Sequence, residues 1–171
     1  MMQAIRRGWS RMGAALAMAG TLGLLAACGG GGGGSGGGGG NGGGSAGPVP
    51  AGTLRVHYQR SAGDYDGWAV YSWNGPTTPS TGWPGSPRFA FSGSSGFGRY
   101  ADIPVDATAG RMDFLLNRPT SETTAEKDQE CDRVATFAAD IATAGQQIWL
   151  KQGDCTTYSS AEAASGLNIG N

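Results

Sequence analysis

The sequence predicts an all-β sandwich, and three observations carry that expectation. Beyond residue 52, short segments rich in β-branched and aromatic residues recur at roughly ten-residue spacing. Clusters of Gly, Pro, Asp and Ser separate them, as turn chemistry requires. The first segment, TLRVHYQ (53–59), alternates: Leu54, Val56 and Tyr58 point one way and Arg55, His57 and Gln59 the other, the period of a strand.

The remaining segments follow in order. WAVYSW (68–73) is dense in β-formers between an Asp-Gly turn and an Asn-Gly turn. RFAF (88–91), YADIPV (100–105), MDFLLN (112–117), QIWLKQ (147–152) and CTTYS (155–159) are further strand candidates. Pro104 cannot donate to a ladder, which places YADIPV at an edge or a bulge. Residues 133–144, RVATFAADIATA, read as a short helix or another strand: Ala enrichment favours the helix, and the spacing fits either. Residues 53–158 are thus expected to form one small domain, and 159–171, SAEAASGLNIGN with its leading Ser159, a linker-like tail.

The N-terminus differs in kind. Arg6, Arg7 and Arg11 precede an apolar run, Met12–Ala27, too short for a membrane span and of the size of a secretory h-region. The run ends in LLAAC, which resembles the lipobox of bacterial lipoproteins. That resemblance implies a signal peptide over 1–27, cleavage before Cys28 and lipid on its sulfur. The protein would then be exported and held in the cell envelope by its lipid anchor. Gly29 as the next residue resembles proteins passed to the outer membrane of Gram-negative cells. Gly29–Gly47 contains 15 Gly in 19 residues and can bury no apolar surface. Residues 28–52 therefore read as the anchor and its tether, with an r.m.s. reach of roughly 24 Å for such a chain.

Charge and cysteine usage narrow the function. Beyond Cys28 the chain carries 9 basic and 13 acidic residues, a balance of −4 that disfavours a nucleic-acid partner. Cys131 and Cys155 are an even pair in an exported domain, which favours a disulfide over a metal site, since the one His, His57, is far away in sequence. A loop of this length contributes roughly 3.5 kcal/mol in the chain-entropy account. Neither His57, with no nucleophile nearby, nor the Asp64/Asp66 pair, which suits a turn, makes a catalytic centre. No catalytic residue, cofactor or metal is expected, and a monomer is.

Tyr71 and Trp73 share one face of their strand, with Trp68 on the opposite parity. Two adjacent rings on one face suit stacking against sugar rings. As the largest apolar residues of a small domain, the three aromatics suit a core equally well.

The segment LRVHYQRSAGDYDGWAVYSW (54–73) resembles the opening of the pullulanase-associated carbohydrate-binding module, family 41. The likeness runs on through FAFSGSSGFGRYADIPV, EKDQECDR and IWLKQGDCTTY, and so covers nearly all of 53–158 in order. It implies an immunoglobulin-like β-sandwich that binds α-glucans such as starch, glycogen and pullulan without catalysis. Members usually stand at the front of larger debranching enzymes, so the chain reads either as a free-standing binder or as part of one. Tyr71 and Trp73 match the stacking positions, Tyr71 standing where members often carry Trp or His. Lys127 and Asp132 match the residues that hydrogen-bond vicinal hydroxyls, with Asp128 a further candidate. The stretch RPTSETTAEKDQECDRVATF is longer than usual and Cys131 within it is an addition; a Cys131–Cys155 bridge would pin Asp132 to the last strands. The competing readings are an adhesion or structural sandwich whose aromatics are all core, and a small glycoside hydrolase.

Overall fold

A computed structural model of the chain describes residues 46–166. The signal peptide, Cys28 and most of the Gly-rich tether lie outside the described residues. Among the described residues, nine strands form two sheets. The first sheet runs β4 (Gly93–Ser94), β5 (Arg99–Pro104), β1 (Thr53–Gln59), β9 (Gln146–Lys151). The second runs β3 (Phe89–Ala90), β2 (Ala69–Asn74), β6 (Arg111–Pro119), β7 (Ala125–Lys127), with β8 (Arg133–Thr136) also paired to β6. β1 is central, antiparallel to β5 and parallel to β9. The expected β-sandwich is what forms.

Alternation decides what lies between the sheets. Leu54, Val56 and Tyr58 of β1 and Ala101, Ile103, Ile148 and Leu150 from its neighbours meet Val70, Met112, Phe114, Leu116 and Ala135 across the gap, all fully or almost fully buried. Trp68, just before β2, joins this core at 2% exposure, as its parity implies.

The opposite face of β1 is also covered, which alternation alone does not suggest. Arg55 is bidentate to Asp102 (2.6 and 2.8 Å), lies 4.2 Å from the Tyr100 ring centroid and donates to the Gly47 carbonyl. His57 stacks on Trp149 (centroids 5.0 Å, interplanar angle 2°), with Ser95 Oγ and Gln147 Oε1 3.1 and 2.9 Å from its ring nitrogens. Burial pushes the His57 pKa below its ordinary value, against the hydrogen bond to Gln147, which acts the other way. A group whose folded pKa is depressed contributes stability that is present above its unfolded pKa, near 6.5, and is lost as pH falls through the folded value. The melting temperature should therefore drop on going from pH 7.5 to pH 5, and His57→Gln should flatten that part of the profile; an equally steep fall in the variant would assign it to other groups.

Three segments differ from the sequence reading, each for a local reason. Residues 133–144 are both candidates in succession: β8, where Arg133 and Ala135 point in and Val134 and Thr136 out, then the helix α1 (Ile141–Ala144), ended by Gly145 at φ 73°. Residues 155–159 form no strand, only an isolated bridge between Tyr158 and Trp149. There the Asp154 carboxylate accepts from the Thr156 amide (2.8 Å) and the Tyr158 hydroxyl (2.6 Å), which turns the chain instead of extending it. In the tail, Ala161–Ser165 forms a helix, α2, with Ser160 Oγ accepting from the Ala163 amide and Gly166 in the left-handed region. Ala164 is fully buried and the helix packs on β9, so this stretch is part of the domain and not linker. Pro104 ends β5 beyond the two residues that β4 accompanies, paired with Thr53 on one side while its carbonyl accepts from the Thr77 amide (3.0 Å).

Candidate functional site

The outer face of the second sheet carries a groove. Its floor is Tyr71 and Leu115, paired across β2 and β6. Trp73 and Trp83 stand beside them, and Thr123, Thr124, Ala125, Lys127 and Asp132 close the far side. Trp73 is 38% and Trp83 40% exposed, against 2% for Trp68. The three aromatics of 68–73 therefore differ: Trp68 is core, Tyr71 is half-buried on the groove floor and Trp73 is exposed.

Local backbone chemistry aims each ring. The β2–β6 register slips between Ser72 and Asn74, a bulge that re-aims Trp73. The Asn-Gly turn closes tightly, since a Cβ at Gly75 (φ 99°) would sit 2.5 Å from the Arg111 carbonyl. Trp83 arrives on the β2–β3 loop, which is pinned to the sheet. Ser80 donates its amide to Ser72 O (2.6 Å) and its hydroxyl to Pro87 O (2.7 Å), and Asn117 Nδ2 donates to Pro84 O (2.7 Å). Gly85 (φ 95°) lies against the Tyr71 ring, where a Cβ would come within 2.1 Å of ring carbons. The rings form a cradle and not a plane: Tyr71 and Trp73 are 5.9 Å apart at 42°, Tyr71 and Trp83 5.5 Å apart at 73°.

The polar side is supplied by the segment after β6. Lys127 Nζ lies 5.7 Å from the Trp83 ring centroid and 2.8 Å from a Glu130 carboxylate oxygen. Glu130 is exposed, so this ion pair is weak and the ammonium stays free to exchange partners. Asp132 is exposed at the groove, a carboxylate open to two donors.

Asp128 is a correction. Its side chain is 1% exposed and is enclosed in a polar network instead of lining the groove. Tyr58 donates its hydroxyl to Asp128 Oδ1 (2.6 Å), Arg133 Nη2 donates to Oδ2 (2.8 Å), and Arg60 Nη1 donates to the Tyr58 hydroxyl (2.7 Å). A carboxylate so enclosed serves buried cations, not solvent-side hydroxyls. Burial, with Asp128 adding to it, pushes the Tyr58 pKa well up, so the phenol remains a donor at all relevant pH. Trp83 is the residue that sequence reasoning missed. Its signal was the Trp-Pro-Gly in a turn-rich stretch, which reads as loop and gives no parity.

The fold defines the class: a two-sheet module of the kind found among solved carbohydrate-binding modules. The chain belongs to the family described as the bacterial pullanase-associated domain, whose profile matches residues 52–159. Pullulanase A of Streptococcus pneumoniae serotype 2 is 41% identical over 70 residues, 40% of this chain and 5% of that protein. The chain thus matches a small part of its curated relatives. Two solved structures resemble it with a TM-score of 0.55. One, described as α-glucan recognition by family 41 carbohydrate-binding modules from streptococcal virulence factors, is 27% identical and covers 67% of this chain and 50% of that one. The other, a product complex of a multi-modular glycogen-degrading pneumococcal virulence factor, is 32% identical and covers 68% of this chain and 11% of that one.

Proposed function

We propose that this domain binds α-glucan without catalysis, in the groove floored by Tyr71 and flanked by Trp73 and Trp83. The observation that carries the reading is the separation of roles among the tryptophans. Trp68 is spent on the core, while Trp73 and Trp83 stay more than a third exposed on one face. A large indole left in water is costly unless something covers it, and a sugar ring is the ligand whose C–H face fits it. The cradled arrangement suits a curved α-linked chain better than a flat one. Lys127 donates to hydroxyl oxygens at the rim and Asp132 accepts from adjacent hydroxyls. Family membership and the α-glucan recognition described for the similar streptococcal modules support the same ligand class.

The test is migration of the exported protein in a native gel with and without amylopectin. Retardation by the polysaccharide is expected, and unchanged mobility would remove the binding reading in favour of an adhesion or structural sandwich. Reducing-sugar release from pullulan should stay at the level of buffer.

The lipoprotein reading of Cys28 places this binding at the cell envelope. Two or more acyl chains suffice for stable anchoring, at about 0.8 kcal/mol per buried CH₂. Cys28→Ser should move the protein from the membrane to the soluble fraction. An unaltered protein already soluble after export would contradict the anchor.

A further inference from the structure

Between Lys127 and Asp132 the chain does not line the groove; it is strapped to the turn after β9. Asp128 accepts from the Gly153 amide (3.3 Å), and Gln129 Nε2 donates to the Gly153 carbonyl (3.0 Å). Cys131 is disulfide-bonded to Cys155, with Cα atoms 6.0 Å apart. Arg133 Nη2, completely buried, donates to the Asp154 carbonyl (2.7 Å) as well as to Asp128. Four anchor points within six residues, 128, 129, 131 and 133, thus fasten a loop of the second sheet to the end of a strand in the first. Gln129 and Cys131 are only partly buried and Cys155 is exposed, so these two ties lie at the surface and not in the core.

Their placement is what gives them a role in recognition. Cys131 is covalently adjacent to Asp132, which reaches the groove from an exposed position and makes no side-chain hydrogen bond among the described residues. Nothing local to Asp132 fixes it; its place is set by its neighbours Cys131 and Arg133. The deep ties through Asp128 and Arg133 hold the sandwich, and the shallow ties through Gln129 and Cys131 hold the loop. We propose that the Cys131–Cys155 disulfide and Gln129 are positioning groups for the groove, fixing the Asp132 carboxylate before the glucan arrives. This rests on the α-glucan reading above and names the residues on which its affinity depends. Without the strap, binding would have to order a side chain and its loop, a cost that appears as weaker affinity.

The test is a double-mutant cycle on glucan affinity, read by titration calorimetry with maltoheptaose at a temperature where far-ultraviolet circular dichroism shows each variant folded. Cys131→Ser/Cys155→Ser should bind roughly two- to ten-fold more weakly, as expected for leaving one side chain and its loop unordered. Gln129→Ala, which keeps the disulfide, should weaken binding in the same direction by less. In the disulfide-free background, Asp132→Ala should cost distinctly less than in the unaltered protein, because the carboxylate is no longer held in place. A merely structural disulfide would change stability and leave both affinity and that coupling unaltered, and this result would overturn the proposal. If the disulfide-free protein does not fold, Gln129→Ala alone decides: unchanged affinity overturns it and weakened affinity supports it. If the unaltered protein itself releases no heat with maltoheptaose and is not retarded by amylopectin, the failure lies in the α-glucan reading and takes the strap with it.

Discussion

Trp73→Ala is expected to lower α-glucan affinity about ten-fold or more while the domain stays folded. The indole lies outside the buried core at 38% exposure, with its ring 5.9 Å from that of Tyr71. A stacked aromatic contact is worth about 1 kcal/mol beyond its buried area, and the two together exceed the roughly 1.4 kcal/mol of a ten-fold change. The stability cost should be about 1 kcal/mol or less, the range of surface substitutions that create no cavity. Calorimetric titration with maltoheptaose and a thermal melt check the two halves separately. Loss of the fold would place Trp73 in the packing of the sandwich. Retained affinity would move the binding surface elsewhere.

Trp68→Ala should do the reverse. This indole is 2% exposed, packs in the inter-sheet core and carries the Arg60 guanidinium 4.2 Å over its ring. Truncating a buried Trp costs about 3–5 kcal/mol, and a domain of this size has only about 5–15 kcal/mol in total. Removing it also strips the stacking surface from Arg60, itself buried and tied to Asp64 and Tyr58. A large fall in denaturation midpoint is therefore expected, with glucan affinity close to normal in whatever fraction remains folded. A stability change under about 1 kcal/mol would show that the cavity collapses at little cost.

The contrast between these two residues also shows what was legible beforehand. Strand parity separates Trp68 from Tyr71 and Trp73, and the fold obeys it because β2 has one face on the core and one toward water. Parity fails where structure comes from outside the strand. Arg55 and His57 read as solvent-facing, yet Tyr100, Asp102, Gln147 and Trp149 on the flanking strands cover them. Trp83 sits on a loop, where no period applies, and its place beside Tyr71 depends on Asn117 and Ser80 holding that loop. The charged stretch 126–132 defeats sequence reading for another reason. Lys127, Asp128 and Asp132 look alike as polar loop residues, and only the fold shows Asp128 buried beneath Tyr58 and Arg133 while the other two reach the groove. The pairing of Cys131 with Cys155 was legible because it follows from the count and not from geometry.

The central claim is that the aromatic groove on the outer face of the second sheet holds the glucan. The most direct measurement is the set of indole N–H resonances of the tryptophan-¹⁵N-labelled domain during titration with maltoheptaose. Of the indoles within residues 46–166, those of Trp73 and Trp83 should shift with saturable dependence on ligand, while those of Trp68 in the core and Trp149 on the opposite sheet should not. A saturable shift of Trp149 with Trp73 and Trp83 unmoved would contradict the account, and so would the absence of any shift at millimolar sugar.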